Sequence, residues 1–260
     1  MYAWKSTWGT LRYEFLMQIR RPALWLAFLA CALLLARGVI NQLDNPYALQ
    51  MHLTIWQTAA MLTLFTNLLL PLGVGILLAD RLARDRRTRV EEILNTLPGT
   101  LRSRLLGKYL GTMLASLVPA FLVFLFIMSI AAVYTHNLQL LLCGVACYTV
   151  MVLPGMCFVA AFSLACPIVI WVPLYQFLFF GYWFWGNLLG PDYGLPTLSG
   201  TILTPVGSFI GANLFDVSIN SGVQSGSVLG GTAGIVLLVG IAGLVLVALH
   251  QFLTWEQTRQ

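Results

Sequence analysis

The sequence predicts an all-α polytopic membrane protein with six transmembrane helices. An amphipathic interfacial helix precedes the first, both termini are cytoplasmic, and a short, broken, re-entrant-like outer segment separates the fifth from the sixth. Three observations carry that expectation. The 260 residues are 59% hydrophobic and only 9% charged, with mean hydropathy +0.84, whereas soluble domains carry about 25% charged residues. Apolar runs of the ~20 residues needed to cross a bilayer recur along the chain. The charge is also concentrated, because eight of the fourteen Lys and Arg and four of the nine acids fall in residues 80–108. What remains is a single transmembrane domain over 1–260, with little room for a soluble catalytic domain.

Residues 1–21 form the interfacial helix. Trp4, Trp8, Leu11, Phe15 and Ile19 recur at helical spacing, with Lys5, Arg12, Arg20 and Arg21 among the remainder, which suits a helix lying in the headgroup layer. The rival reading, a cleaved signal peptide, would need its apolar core to begin near residue 22, behind a long Trp-containing lead. Residues 22–79 hold spans one and two. Pro22 opens the first, which runs to about Ile40, and the Asp44-Asn45-Pro46 turn lies in the outer loop that follows. Span two runs from about Leu53 to Ala79 and contains Asn67 and a kinking Pro71.

Residues 109–189 hold spans three to five. Span three ends near Val133, a tight turn falls at Thr135-His136-Asn137, and span four covers about Leu138 to Ala165. Cys166-Pro167 marks a connection to span five, about Ile168 to Leu189, which is rich in aromatics. The outer segment 190–227 is dominated by Gly, Pro, Ser, Thr and Asn, with Asp192 and Asp216 as its only charges; short helices dipping into the outer leaflet suit it. Span six occupies 228–253, and the tail 254–260 is cytoplasmic. Gly226, Gly230 and Gly234, four residues apart, let another helix approach closely. With both ends and the 80–108 loop inside, thirteen of the fourteen Lys and Arg are cytoplasmic, Arg37 being the exception.

Within the loop, Thr88-Arg89-Val90-Glu91 fits a capping box. Val90, Ile93, Leu94 and Leu97 then recur at three- and four-residue steps, giving a short helix with one apolar face. Leu97-Pro98-Gly99-Thr100 ends it, and Thr100 or Ser103 caps a helix continuing through Lys108 into span three. A loop that only fixes topology and binds anionic lipid explains the cations. A docking helix explains the cations and the capped apolar stripe together.

The order of these features, with the loop sequence RTRVEEILNTLPGTLRSRLLGKYLG, resembles the membrane subunits of type 2 ABC exporters, the ABC-2 transporter superfamily. Glu91 or Glu92, Leu94, Leu97, Pro98 and Gly107-Lys108 match the family's pattern of an acid, a Leu-rich helix, a Pro and a Gly-Lys opening the next span. The resemblance implies a permease subunit of an exporter in a plasma membrane, the inner membrane of a bacterium or archaeon. It implies pairing with a second membrane subunit, identical or not, and with a separate ABC ATPase. Residues 80–108 would then be the cytoplasmic coupling loop, in which Arg84, Arg86, Arg87, Glu91 and Glu92 surround a docked patch of Val90, Ile93, Leu94 and Leu97. No GxxxxGK[ST] phosphate loop occurs, since Gly99 to Gly107-Lys108-Tyr109 has the wrong spacing. ATP and Mg are therefore expected on the partner, and no cofactor on this chain.

Inside the membrane, Asn67, Gln176 and Trp183 are candidates for lining a translocation pathway, and equally for interhelical hydrogen bonds. The aromatic run of span five suits either cargo contact or an interfacial belt. The five cysteines lie in apolar runs, and His52, His136 and His250 lie on separate segments, so no metal site is expected. No Ser, His and acid set gathers at one depth, and an enzyme is not expected. The cations flank membrane spans, which disfavours nucleic acid as a partner. The alternatives are a membrane scaffold or sensor that anchors a cytoplasmic partner, and an intramembrane enzyme.

Overall fold

The computed structural model describes residues 2–43, 53–87, 100–189, 194, 196–218 and 226–259. Among them every regular element is helical. Helix α1 (Tyr2–Ile19) stops just before Pro22, which opens α2 (Pro22–Leu43). Helix α3 (Ile55–Asn67) starts at a capping box, in which the Thr54 hydroxyl accepts from the Gln57 amide and the Gln57 side chain accepts from the Thr54 amide. Two residues separate it from α4 (Leu70–Arg87). Pro71 causes that break, because it has no N–H for the carbonyl of Asn67 and its ring crowds the same carbonyl. Leu68 and Leu69 instead donate to Phe65 and Thr66, three residues back.

Helix α5 (Leu101–Tyr134) is capped by Thr100, whose hydroxyl accepts from the Ser103 amide. The turn after it places His136 at φ 52, a left-handed conformation that ends the helix sharply. Helix α6 (Gln139–Val169) widens to a π segment at Tyr148–Val152. Pro154 follows directly, and its missing N–H would otherwise leave the ladder short at Val150, which the wider turn relieves. Helices α7 (Val172–Leu188), α8 (Ser208–Phe215) and α9 (Val228–Gln257) complete the described elements.

The core lies where α2, the α3–α4 pair, α5 and α6 meet. Phe28, Leu35, Leu64, Leu78, Phe124, Ile127, Met151 and Leu164 are fully buried there, and α9 adds Leu238 and Ala242. Helix α8 seats on α9, where the glycine stripe lets it in: a Cβ at Gly231 would fall 2.6 Å from Leu214 and one at Gly230 2.6 Å from Asn213 Oδ1. The helix that the four-residue glycine spacing admits thus comes from the outer segment of the same chain.

Among the described residues, five helical stretches are long and apolar enough to cross a membrane: Pro22–Asn41, Ile55–Leu82, Leu101–Tyr134, Gln139–Val169 and Val228–Gln257. The six-span expectation is corrected accordingly, and the element that falls short is α7. Its 17 residues cover about 25 Å, against about 30 Å of hydrocarbon. Residues are lost at both ends. Helix α6 runs through Cys166-Pro167 as far as Val169, absorbing the start assigned to span five, and Pro173 fixes the first turn of α7. At the other end Leu189 is extended, and the chain folds back so that the Leu198 amide donates to the Gly186 carbonyl at 2.8 Å.

Candidate functional site, a buried ionic cluster at the root of the charged loop

Helices α4 and α5 lead into and out of residues 88–99, and α1 packs along the first turns of α5. The approach of α1 is close because Gly107 and Gly111 of α5 face it. A Cβ at Gly107 would lie 2.8 Å from the Thr7 carbonyl oxygen, and one at Gly111 2.6 Å from that of Leu11. The Thr7 hydroxyl donates to Ser103 Oγ at 3.0 Å across the same seam. The face α1 turns to the protein is its polar one, with Glu14 and Gln18 buried, while Trp8 and Tyr13 are exposed.

This contact delivers the Glu14 carboxylate between two cations. Glu14 Oε1 lies 3.6 Å from Lys108 Nζ, and Oε2 lies 3.8 Å from Arg81 Nη1. All three side chains are nearly sealed from solvent, at 8%, 9% and 3% exposure. Arg21 and Arg84 add positive potential around Arg81, and Asp80 partly offsets it. The pairs are longer than the 2.7–2.9 Å of a tight charge-assisted hydrogen bond. Glu14 Oε2, Gln18 Oε1 and Arg81 Nε and Nη2 make no hydrogen bond among the described residues. Helices α1, α4 and α5 are thus held by through-space attraction at a point where directional bonding is incomplete. Chemically the cluster holds charge and joins helices. Among the described residues no group of three His, Cys, Asp or Glu can hold a metal.

Of the loop residues expected to dock a partner, Arg84 is exposed on α4, and Arg86 and Arg87 belong to the last turn of the same helix. Val90, Glu91, Glu92, Ile93, Leu94 and Leu97 lie outside the described residues, as do the Thr88 capping box and Pro98-Gly99. Asn67, Gln176 and Trp183 all donate to backbone carbonyls: Asn67 Nδ2 to Val206 at 2.7 Å, Gln176 Nε2 to Ile76 at 3.0 Å, and Trp183 Nε1 to Leu68 at 2.7 Å. They fasten α7 and the outer segment to α3 and α4. Sequence reasoning missed Glu14, Gln18, Arg81 and Lys108. The signal was present, since Thr7, Thr10, Glu14 and Gln18 recur at helical spacing on a face of their own, roughly a quarter-turn round from that of the Trp residues.

The fold and this site define a multi-pass, all-helical membrane protein residing in a lipid bilayer. No protein-family model matches the chain, and no curated protein matches it.

Proposed function

We propose that the chain is the permease subunit of an ABC exporter of the type 2 class, without catalysis of its own. The observation that supports this most is the mechanical continuity around residues 88–99. Helix α5 runs unbroken for 34 residues, from just after the loop to the opposite end. That is about 51 Å, some 20 Å more than the hydrocarbon core requires. Its first turns and the end of α4 are tied to α1 by the buried Glu14 cluster. A push on the loop is therefore delivered to three helices at once.

In this reading the helix around Val90, Ile93, Leu94 and Leu97 seats in an ATPase subunit that carries ATP and Mg. Arg84, Arg86, Arg87, Glu91 and Glu92 set its register, and a second membrane subunit completes the pathway. A few apolar anchors dominate such an interface, with the charges selecting the partner. Asn67, Gln176 and Trp183 hold the wall of the pathway together through their bonds to carbonyls.

Co-purification with an ATP-binding subunit, and ATPase activity altered in the complex, test the reading. Leu94→Asp or Leu97→Asp abolishes association while membrane insertion persists, and Arg87→Ala has a smaller effect. A complex unaffected by both Asp substitutions refutes the docking face. An ATPase that binds with unaltered turnover indicates a scaffold in place of a transporter.

A further inference from the structure

At the end of the bundle away from the charged loop, the start of α3 and the end of α8 enclose an open cleft of about 640 Å³, lined by Thr54, Trp56, Gln57, Phe215, Asp216 and neighbours. Trp56 and Phe215 stack in parallel, 6.0 Å between centroids and 12° between planes. Half of Trp56 remains exposed. Among the described residues Asp216 is the only charged side chain lining the cleft, and its carboxylate has no hydrogen-bond or ion-pair partner there.

We propose that this cleft binds an organic ammonium group, seated on the aromatic wall of Trp56 and Phe215 against the carboxylate of Asp216. Four observations favour a cation over an anion or a neutral ligand. An aromatic face attracts an ammonium through its quadrupole, Trp most strongly. Asp216 supplies a full negative charge at the mouth. The last turn of α8, Ala212 to Phe215, lines the cleft, and the carbonyl end of a helix carries partial negative charge. Finally, the described residues of the segments joining helices at this end, 53–54, 135–138, 189, 194, 196–207, 216–218 and 226–227, hold no Lys or Arg, so no fixed cation among them opposes an incoming ammonium. An anion would find no basic side chain among the described residues of the lining, and the capping box already engages the Gln57 amide at the positive end of α3.

Asp216 is held in place by its backbone. It takes a left-handed conformation at φ 61, and the next amide, that of Val217, returns to the Gly211 carbonyl at 3.2 Å. Asn tolerates that conformation as well as Asp does, so Asp216→Asn removes the charge and keeps the turn. The proposal stands independently of the transporter reading.

The test uses the full-length protein in nanodiscs of phosphatidylglycerol, with choline as the probe and calorimetry as the readout. Saturable binding is expected, with none for the uncharged carbon isostere of choline. Asp216→Asn and Trp56→Leu should each weaken binding about tenfold, the scale of a cation–π or single-charge contact in a partly enclosed site. Absence of saturable binding, equal binding of the isostere, or unchanged affinity in both variants overturns the proposal. Nanodiscs of phosphatidylcholine then separate the sources of the group. Loss of the choline signal there assigns the site to a lipid headgroup, and its retention assigns it to a soluble amine, either outcome upholding the ammonium assignment.

Discussion

At the charged end of the bundle, Glu14 faces Lys108 and Arg81 across 3.6 and 3.8 Å; at the opposite end Asn67, Trp183 and Thr204 reach their acceptors at 2.7, 2.7 and 3.0 Å. Both ends tie helices together through polar groups buried in an apolar protein. The neutral contacts are short and directional, so each fixes one geometry. The ionic contacts are long, and hydrogen-bonding atoms on Glu14 and Arg81 are left unsatisfied, as Asn67 Oδ1 is at the neutral end, so contact length is what separates the two. A buried ion pair is weak evidence of stabilisation, because desolvation offsets most of the Coulombic gain. Attraction that falls slowly with distance nevertheless survives small shifts that would break a hydrogen bond. The charged end is accordingly the one able to move without losing its connections, and the opposite end is the frame it moves against.

The largest effect should come from breaking the charged end. Glu14→Gln removes the anion paired with the sealed Arg81, a change that costs about 3–5 kcal/mol when one partner of a sealed pair is removed. The thermal unfolding midpoint in detergent should fall clearly, and adding Arg81→Met should restore part of the loss by removing a stranded charge. A midpoint unmoved by Glu14→Gln would erase the distinction between the two ends.

A smaller effect is expected at the seam that delivers Glu14 to its partners. Gly111→Leu places a side chain where the Leu11 carbonyl already sits, and overpacking of this kind costs about 1–3 kcal/mol. The neighbouring Thr7 and Ser103 hydroxyls, 3.0 Å apart, give a direct readout. Thr7→Cys with Ser103→Cys should cross-link readily in the parent chain and poorly with Gly111→Leu. Equal cross-linking would mean that α1 reaches the cluster without the glycine groove.

Much of this frame is legible in the residues. Proline and capping chemistry place the break at Leu68–Leu69 and the start of α5 at Thr100, because those signals act locally. Glycine spacing at the start of α9 announces a close neighbour. The ionic cluster is harder to see, since Glu14, Arg81 and Lys108 are 67 and 27 positions apart in turn, and charges at the edge of apolar runs ordinarily meet water. Only the docking of α1 on α5 seals them. The shortness of α7 was hidden for a related reason: an aromatic-rich stretch of the right length looks like a span, while the turn that returns Leu198 to Gly186 is set by tertiary contact. The neutral bonds of Asn67, Gln176 and Trp183 were visible as polar residues in apolar runs, but their acceptors are backbone carbonyls that no side-chain pattern reveals.

The smallest effect belongs to the neutral end and sharpens its role as a frame. Trp183 is buried with its ring against Phe179, and its N–H meets the Leu68 carbonyl beside the gap that Pro71 opens. Trp183→Phe keeps an aromatic ring and deletes the donor, leaving that carbonyl short of a partner, at a cost of about 1–2 kcal/mol. The loss should be local, with faster amide exchange around Leu68 to Leu72 and little change at α1. Exchange rising instead at Glu14 and Lys108 would show that the two ends are strained together, and that the neutral contacts do not act as the fixed reference against which the ionic ones shift.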